Sequence, residues 1–400
     1  MKKTYLLGSL FALVVSFFGA TSCSDSDSVD AYDGDSAELN YNSGNAKAWG
    51  NYMKNVAILL NNDSENLYSQ WATNYNNTGT SFATLFKAHS SEAGYTSVQS
   101  CAQEMVEKMA EIANEVGSSK IGDPYDKWIS GKQTAALYAV ESWYSWHSRD
   151  DYTNNIISIE NAYYGNRNHA TTGAIADASL AKLLEGTPID VKVRKGIADA
   201  KTAIQAITQP FRNHIGSAEA QAAIEACSDL QKMLSEVKND EGEVEAEGDA
   251  VNLRDVVAAK SSDELQPIID NYVDNVVVPT YSDLKTQNAN LLAAVNSFVA
   301  NPTNEGFEAC CNAWLTARAP WETSEAFLFG PVATFGLDPN MDSWPLDQDA
   351  IVQIMKSAKW SDLEWVDGDD DAKVESAQNV RGFHTLEFLI FKDGKPRTVK

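Results

Sequence analysis

Several absences bound what this chain can be. Among its 400 residues neither C-x-x-C nor H-E-x-x-H occurs. The first absence argues against a thiolate zinc site or a redox dithiol, the second against a common hydrolytic zinc signature. Basic residues are scarce: 31 Lys and Arg face 56 Asp and Glu. A nucleic-acid surface needs stripes of Lys and Arg, so that class of partner is excluded. The same imbalance favours cations, although acidity also simply keeps a protein soluble. Strand-like alternation is hard to find, and no short internal period marks a solenoid. The apolar run Leu6–Phe18 is too short to cross a bilayer comfortably.

That run fits a different use. Lys2 and Lys3 precede it, and Gly19-Ala20-Thr21-Ser22 leads from it into Cys23. Charge, apolar stretch, small residues and Cys in this order are the layout of a bacterial lipoprotein signal. Residues 1–22 are predicted to be removed, leaving an acylated Cys23 as a multi-chain anchor. Residues 23–43 read as an acidic tether with almost nothing to bury. The predicted location is the cell envelope, lipid-anchored at the outer membrane. The two signal lysines leave without an acidic residue, so the mature chain carries 29 basic and 56 acidic groups, net −27. Roughly 375 residues remain, enough for two domains with adequate cores. Cys101, Cys227, Cys310 and Cys311 could pair after export, in a connectivity that spacing does not fix.

What the sequence has in abundance is helical periodicity. Ile189, Val193, Ile197, Ala200, Ile204 and Ile207 step by four, four, three, four and three, one face of an amphipathic helix. Comparable stripes run through 49–71, 98–116, 220–237, 265–277, 284–299 and 307–317. The fold class is therefore all-α, built from helical bundles. The acidic, Gly-punctuated stretch 239–252 is the best domain boundary, separating one bundle at 44–238 from another at 253–400.

Two segments could carry chemistry. In Arg381-Gly-Phe-His-Thr-Leu-Glu-Phe-Leu-Ile-Phe391, His384 and Glu387 are three apart and share a helix face. The surrounding run is apolar nearly all round, so both need partners inside the protein. They are either a satisfied polar pair that fixes packing or half of a metal or anion site. Two ligands fall short of a hydrolytic zinc centre, which uses three protein ligands and an open position. Upstream, Trp314, Arg318, Trp321 and Glu325 step by four, three and four, as a buried charged network on an aromatic face would. Pro320 predicts that this helix bends or restarts there. His89, His169 and His214 read as surface or helix-end residues. His147 is a partial exception because it lies in a polar segment, Ser145–Asp151.

Taken together, several motifs resemble the imelysin-like family. They are Pro279-Thr-Tyr281, Ala313-Trp314, Ala317-Arg318, Trp321-Glu322, Ser324-Glu325-Ala326-Phe327, Phe329-Gly330-Pro331, Asp342-Ser-Trp-Pro345 and Gly382-Phe-His-Thr-Leu-Glu387. The last is similar to the family's G-x-H-x-x-E motif. Glu141–Asp151, Asn155-Ile156, Asn161 and Tyr163-Tyr-Gly165 resemble the family's other half. Here that half comes first, whereas ordinary members begin with G-x-H-x-x-E, so the chain resembles a circularly permuted member. The acidic residues after Cys23 look like the export signals of Bacteroidetes surface lipoproteins. The resemblance implies two four-helix bundles, a shared site between them and a link to iron uptake. It places Ser145, Asp151 and Asn155 opposite His384, Glu387, Arg318 and Glu325. The expected ligand is iron, an iron chelate or haem, and the expected partner an outer-membrane transporter. The family was once classed as peptidases, so a metallopeptidase using His384 and Glu387 is the alternative. An adhesin or structural lipoprotein is the third reading.

Overall fold

The apolar spacing of the sequence becomes helix along most of the chain. The computed structural model describes residues 39–399 apart from 240 and 367; Cys23 and the predicted signal lie outside the described residues. Numbering only the helices used below, these are α1 (Ala46–Ala72), α2 (Val98–Glu115), α3 (Ser148–Tyr164), α4 (Pro188–Ala206) and α5 (Ala218–Leu234). They continue with α6 (Ser262–Tyr272), α7 (Val278–Ala300), α8 (Asn304–Glu322), α9 (Leu337–Asp342) and α10 (Gly382–Ile390). Starts are set by side-chain caps. Ser97 and Ser261 open α2 and α6 with reciprocal capping boxes, and Thr187, Ser217 and Thr303 cap α4, α5 and α8. Each such cap satisfies amides the helix cannot, and is worth about 1 kcal/mol. All six residues of the predicted α4 stripe are buried. Sheet among the described residues is confined to two hairpins, β1 (Val237–Lys238) with β2 (Val244–Ala246) and β3 (Phe391–Lys392) with β4 (Lys395–Pro396). The acidic stretch expected to be a break thus supplies the turn and the second strand of the first of these hairpins.

Two bundles form. Helices α2, α3, α4 and α5 pack on one another, and α1 packs with α7 and α10, while α8 packs on both of these last two. The division by sequence therefore needs correcting. Helix α1 precedes the acidic stretch, yet its buried face meets chiefly α7 and α10, and of the other helices of 44–238 mainly the short one over Phe82–Lys87. Trp49, Trp71, Trp314 and Trp321 are fully buried, two of them on α1 and two on α8. The chain ends of the described region also meet. Lys392 Nζ donates to Asn40 Oδ1 at 3.1 Å and Arg397 Nη1 to the Leu39 carbonyl at 3.2 Å. Among the described residues no helix is long and apolar enough to cross a membrane, and the four described cysteines are buried and unpaired.

Prolines shape the site more than expected. Pro320 neither restarts nor ends α8, which runs through it for two more residues to Glu322. Elsewhere a proline follows a π-helical turn: Pro124 after Val116–Gly122, and Pro279 after Val273–Val277. A proline in a continuing helix loses one hydrogen bond and pushes away the carbonyl four residues back. A wider π turn absorbs that displacement. Lys120 stands four residues before Pro124, in the first of these turns, and its side chain is only 4% exposed.

Candidate functional site

Where α8, α9 and α10 face α3 and the loop before it, the interior is charged. Arg318, on the buried side of α8, is fully buried. Its guanidinium bonds Asp342 at the end of α9, lies 2.5 Å from Glu322 Oε1 one turn along α8, and reaches Asp151 Oδ2 of α3 at 3.5 Å. The Glu322 contact is an ion pair without a directed hydrogen bond. Asp342 is further fixed by the Trp321 indole N–H at 2.7 Å. His384 of α10 lies between carboxylates, with Nε2 3.3 Å from Asp342 Oδ1 and Nδ1 3.1 Å from Glu387 Oε2. Arg318 Nη2 stands 3.4 Å from the same Nε2. The predicted His384–Glu387 pair is therefore formed, three residues apart on one face.

Glu387 is held by backbone. Its Oε1 accepts from the amides of Tyr144 at 3.0 Å and Ser145 at 2.7 Å. Two non-glycine residues of this loop, Ser142 (φ 50) and Trp146 (φ 62), adopt left-handed conformations. Such conformations cost of order 1 kcal/mol or more and persist only where the surroundings hold them. Here the C-terminal hairpin does so: Gly394 N donates to the Tyr144 carbonyl at 2.9 Å. A Cβ at Gly394 would meet the Trp146 ring at 2.6 Å. Ser145 thus contributes its amide, while its hydroxyl turns to the Ser142 carbonyl at 3.4 Å.

Asp151 accepts from the Ser142 hydroxyl and pairs with His147 Nδ1 at 2.9 Å. Burial opposes its charge, but Arg318 and His147 hold its carboxyl down to about 2. Burial likewise opposes the His147 imidazolium, yet the Asp151 hydrogen bond and charge raise it to about 9. Asn155 donates to Glu322 Oε2 at 2.6 Å. Glu325 parts from the other predicted residues: it sits beyond α8, in a short turn over Glu325–Phe327, with Lys120 Nζ 3.8 Å away. Lys120 also approaches Glu141 at 3.3 Å and Glu115 at 3.6 Å.

Carboxylates exceed their partners here. Asp151, Glu322, Glu325 and Glu387 are buried at the junction and the side chain of Asp342 is only 6% exposed, with Glu115, Glu141 and Asp338 near Lys120 at its edge. Arg318 and Lys120 are the permanent cations among them. Burial pushes the Glu322 carboxyl up to about 8 against the pull of Arg318. Burial raises Glu325 well above its ordinary value, against Lys120, and burial with the charge of Asp342 takes Asp338 to about 7. Asp342 goes the other way: Arg318 and His384 outweigh its burial and keep it below 3.8. Ligand oxygens of Glu322, Glu325 and Asp342 lie within 4.8 Å of one another.

Six of the seven predicted residues meet in one network, and the seventh, Glu325, borders it through Glu322 and Asp342. Sequence reasoning passed over Asp342, Glu322 and Lys120 as site residues. Glu322 had a signal, being four residues after Arg318. Asp342 had none beyond its motif, and Lys120 had only the proline four residues on.

The family model described as imelysin, a peptidase class, matches residues 20–237 and 277–400. A crystal structure of an imelysin peptidase from Bacteroides ovatus is 54% identical, covering 90% of this chain and 99% of that one with a TM-score of 0.83. Iron-regulated protein A of Synechococcus elongatus is 34% identical over 128 residues, 32% of each chain. The similarity to that cyanobacterial protein thus spans about a third of its length.

Proposed function

This chain belongs to the imelysin family, and from that premise we propose that it is a cell-envelope lipoprotein that captures iron, free or chelated, for uptake. The observation that carries this reading is the surplus of buried carboxylates at the junction of the two bundles. Oxygen donors with a nearby imidazole suit iron better than a thiolate-preferring metal. Ligand sites also tend to form where packed units meet. The similarity to a protein named for its iron regulation supports the same direction. The lipid anchor and an outer-membrane transporter as partner rest on the Cys23 signal pattern and on the family resemblance.

A hydrolytic role has less support. Both ring nitrogens of His384 face carboxylates, and Arg318 stands 3.4 Å from Nε2, where a metal would have to bind. Glu387 spends one oxygen on two amides and the other on His384. A zinc hydrolase needs three converging ligands and an open position, and this pair offers neither without rearrangement.

The test is elemental analysis of the mature protein purified from iron-containing medium, with calorimetric titration of Fe(II), Fe(III), ferric citrate, Zn(II) and haem. Retained iron or a saturable iron-specific isotherm is expected. No retained iron, and no heat from any iron species, sinks the proposal. Cys23→Ala should move the protein from the membrane to the soluble fraction; unchanged partition would remove the anchor.

A further inference from the structure

The H-x-x-E pair draws attention, but the donors best placed for an ion lie beside it. We propose that Glu322, Glu325 and Asp342, completed by the side-chain carbonyl of Asn155, form an all-oxygen site for a hard divalent cation. This deepens the reading of the junction as a ligand site and rests on it. The three carboxylates come from three elements: the end of α8, the turn after it and the end of α9. Their ligand atoms lie within 4.8 Å of one another, a spread that one oxygen-coordinated ion spans.

An independent observation marks the same place. Asn155 is fully buried and its Oδ1 has no hydrogen-bond partner. Its amide nitrogen is fixed on Glu322 Oε2 at 2.6 Å, which keeps the carbonyl oxygen beside that carboxylate. An unpaired buried acceptor costs of order 1–3 kcal/mol, and a cation supplies what the protein does not.

The surroundings fit a cation and its approach. Lys120 lies between Glu325 and two outer carboxylates, Glu141 and Glu115, whose side chains are 19% and 37% exposed. Carboxylates therefore continue from solvent to the interior group, with the ammonium as the internal counter-charge. His384 and Trp321 hold Asp342 from the other side, as positioning residues. No thiolate and no imidazole belongs to the donor set, which selects against soft ions.

Mn(II) is the probe, because bound and free aqua ion are separated by electron paramagnetic resonance without iron's redox chemistry. The full mature chain should bind one Mn(II). Glu325→Gln and Glu322→Gln should each weaken it at least tenfold while melting no earlier than wild type without metal. Gln matches the neutral carboxyl in shape; if either variant loses its helical spectrum, Glu325→Asp retracts the ligand with charge kept and should weaken binding likewise. Wild-type affinity in the variants overturns this site. So does absence of Mn(II) binding by a wild type that retains iron or ferric citrate, an outcome that leaves the proposed function standing. Mn(II) binding sensitive to both variants, with no iron species retained, does the reverse.

Discussion

Replacing Arg318 by Met probes the electrostatics of the junction directly. The guanidinium is fully buried and faces Asp342, Glu322 and Asp151. Met keeps most of the apolar stem, so the change is chiefly one of charge. Glu322, pushed up to about 8 by burial, can stay protonated at neutral pH and limits the damage. Asp342 and Asp151 cannot, since Arg318 is the foremost of the cations that hold each of them down. Without it at least one must take up a proton to remain buried. From an ordinary value of 3.8, that proton costs about 4 kcal/mol at pH 7 and about 1.6 kcal/mol at pH 5. Breaking a buried pair from one side typically costs 3–5 kcal/mol, in the same range. Urea unfolding at both pH values reads the difference. The expected loss is about 4 kcal/mol at pH 7, falling by more than half at pH 5, and Arg318→Met with Asp342→Asn should recover part of it. An equal loss at the two pH values would falsify the argument, because it would mean that packing rather than charge is at stake.

Other perturbations test other joints of the site. The folded-state value of His147 is raised from 6.5 to about 9, so its stabilisation is complete below 6.5 and lost as pH rises through 9. Wild type should lose up to roughly 3 kcal/mol over that window, and His147→Gln should be flat by comparison; a wild-type profile as flat as the variant's defeats this. Gly382 opens α10 at φ +84, and a Cβ there would lie 2.4 Å from the Met341 carbonyl. Gly382→Ala should cost about 2 kcal/mol or more and, by moving α10 off α9, weaken iron binding as well; a variant with wild-type stability contradicts this close approach. A rearranged chain running from Asp263 to Lys400 and through a short linker into 45–238 should fold cooperatively, because Lys392 of β3 and Arg397 just after β4 already touch the residues before α1. Molten or insoluble products with every linker length tried would count against the permuted reading.

How much of this was legible in the sequence depended on whether position along a helix was the governing variable. The α4 stripe was, because period and burial follow from helix geometry alone. So was the His384–Glu387 pair, three residues apart on a helix that is buried all round. Arg318 was found as a buried charge, but its partner was misjudged. Steps of four, three and four pointed to Glu325, whereas α8 ends at Glu322, so the periodicity was carried past the end of the helix. Asp342 closes a six-residue helix too short to show a period. The amides that hold Glu387 belong to a loop bent by Ser142 and Trp146, and nothing in those residue types announces φ > 0. Lys120 looked like any helical lysine until Pro124 forced a wider turn beneath it. Helix α1 was assigned to its sequence neighbours because a boundary read from composition says nothing about which helix packs on which.

Pairing and surplus separate the two descriptions that the sequence left open. A purely architectural network has reason only to match charges, since buried ion pairs are often no more stabilising than apolar replacements of the same volume. Part of this junction behaves that way. Asp151 and Asp342 are held low by Arg318, with His147 and His384 beside them, and Glu387 is hydrogen-bonded on both oxygens. Glu322, Glu325 and Asp338 behave differently. Burial raises all three, and the cations nearby do not suffice to bring them down. Stability alone gives no reason to keep acids that must hold protons to stay buried, when Gln and Asn of the same shape carry no such cost. A site that exchanges those protons for a cation does give one. The matched half fixes the geometry of α8, α9 and α10, and the surplus half, two of its members within reach of Asn155 and Asp342, is where ligand binding has a charge to work with.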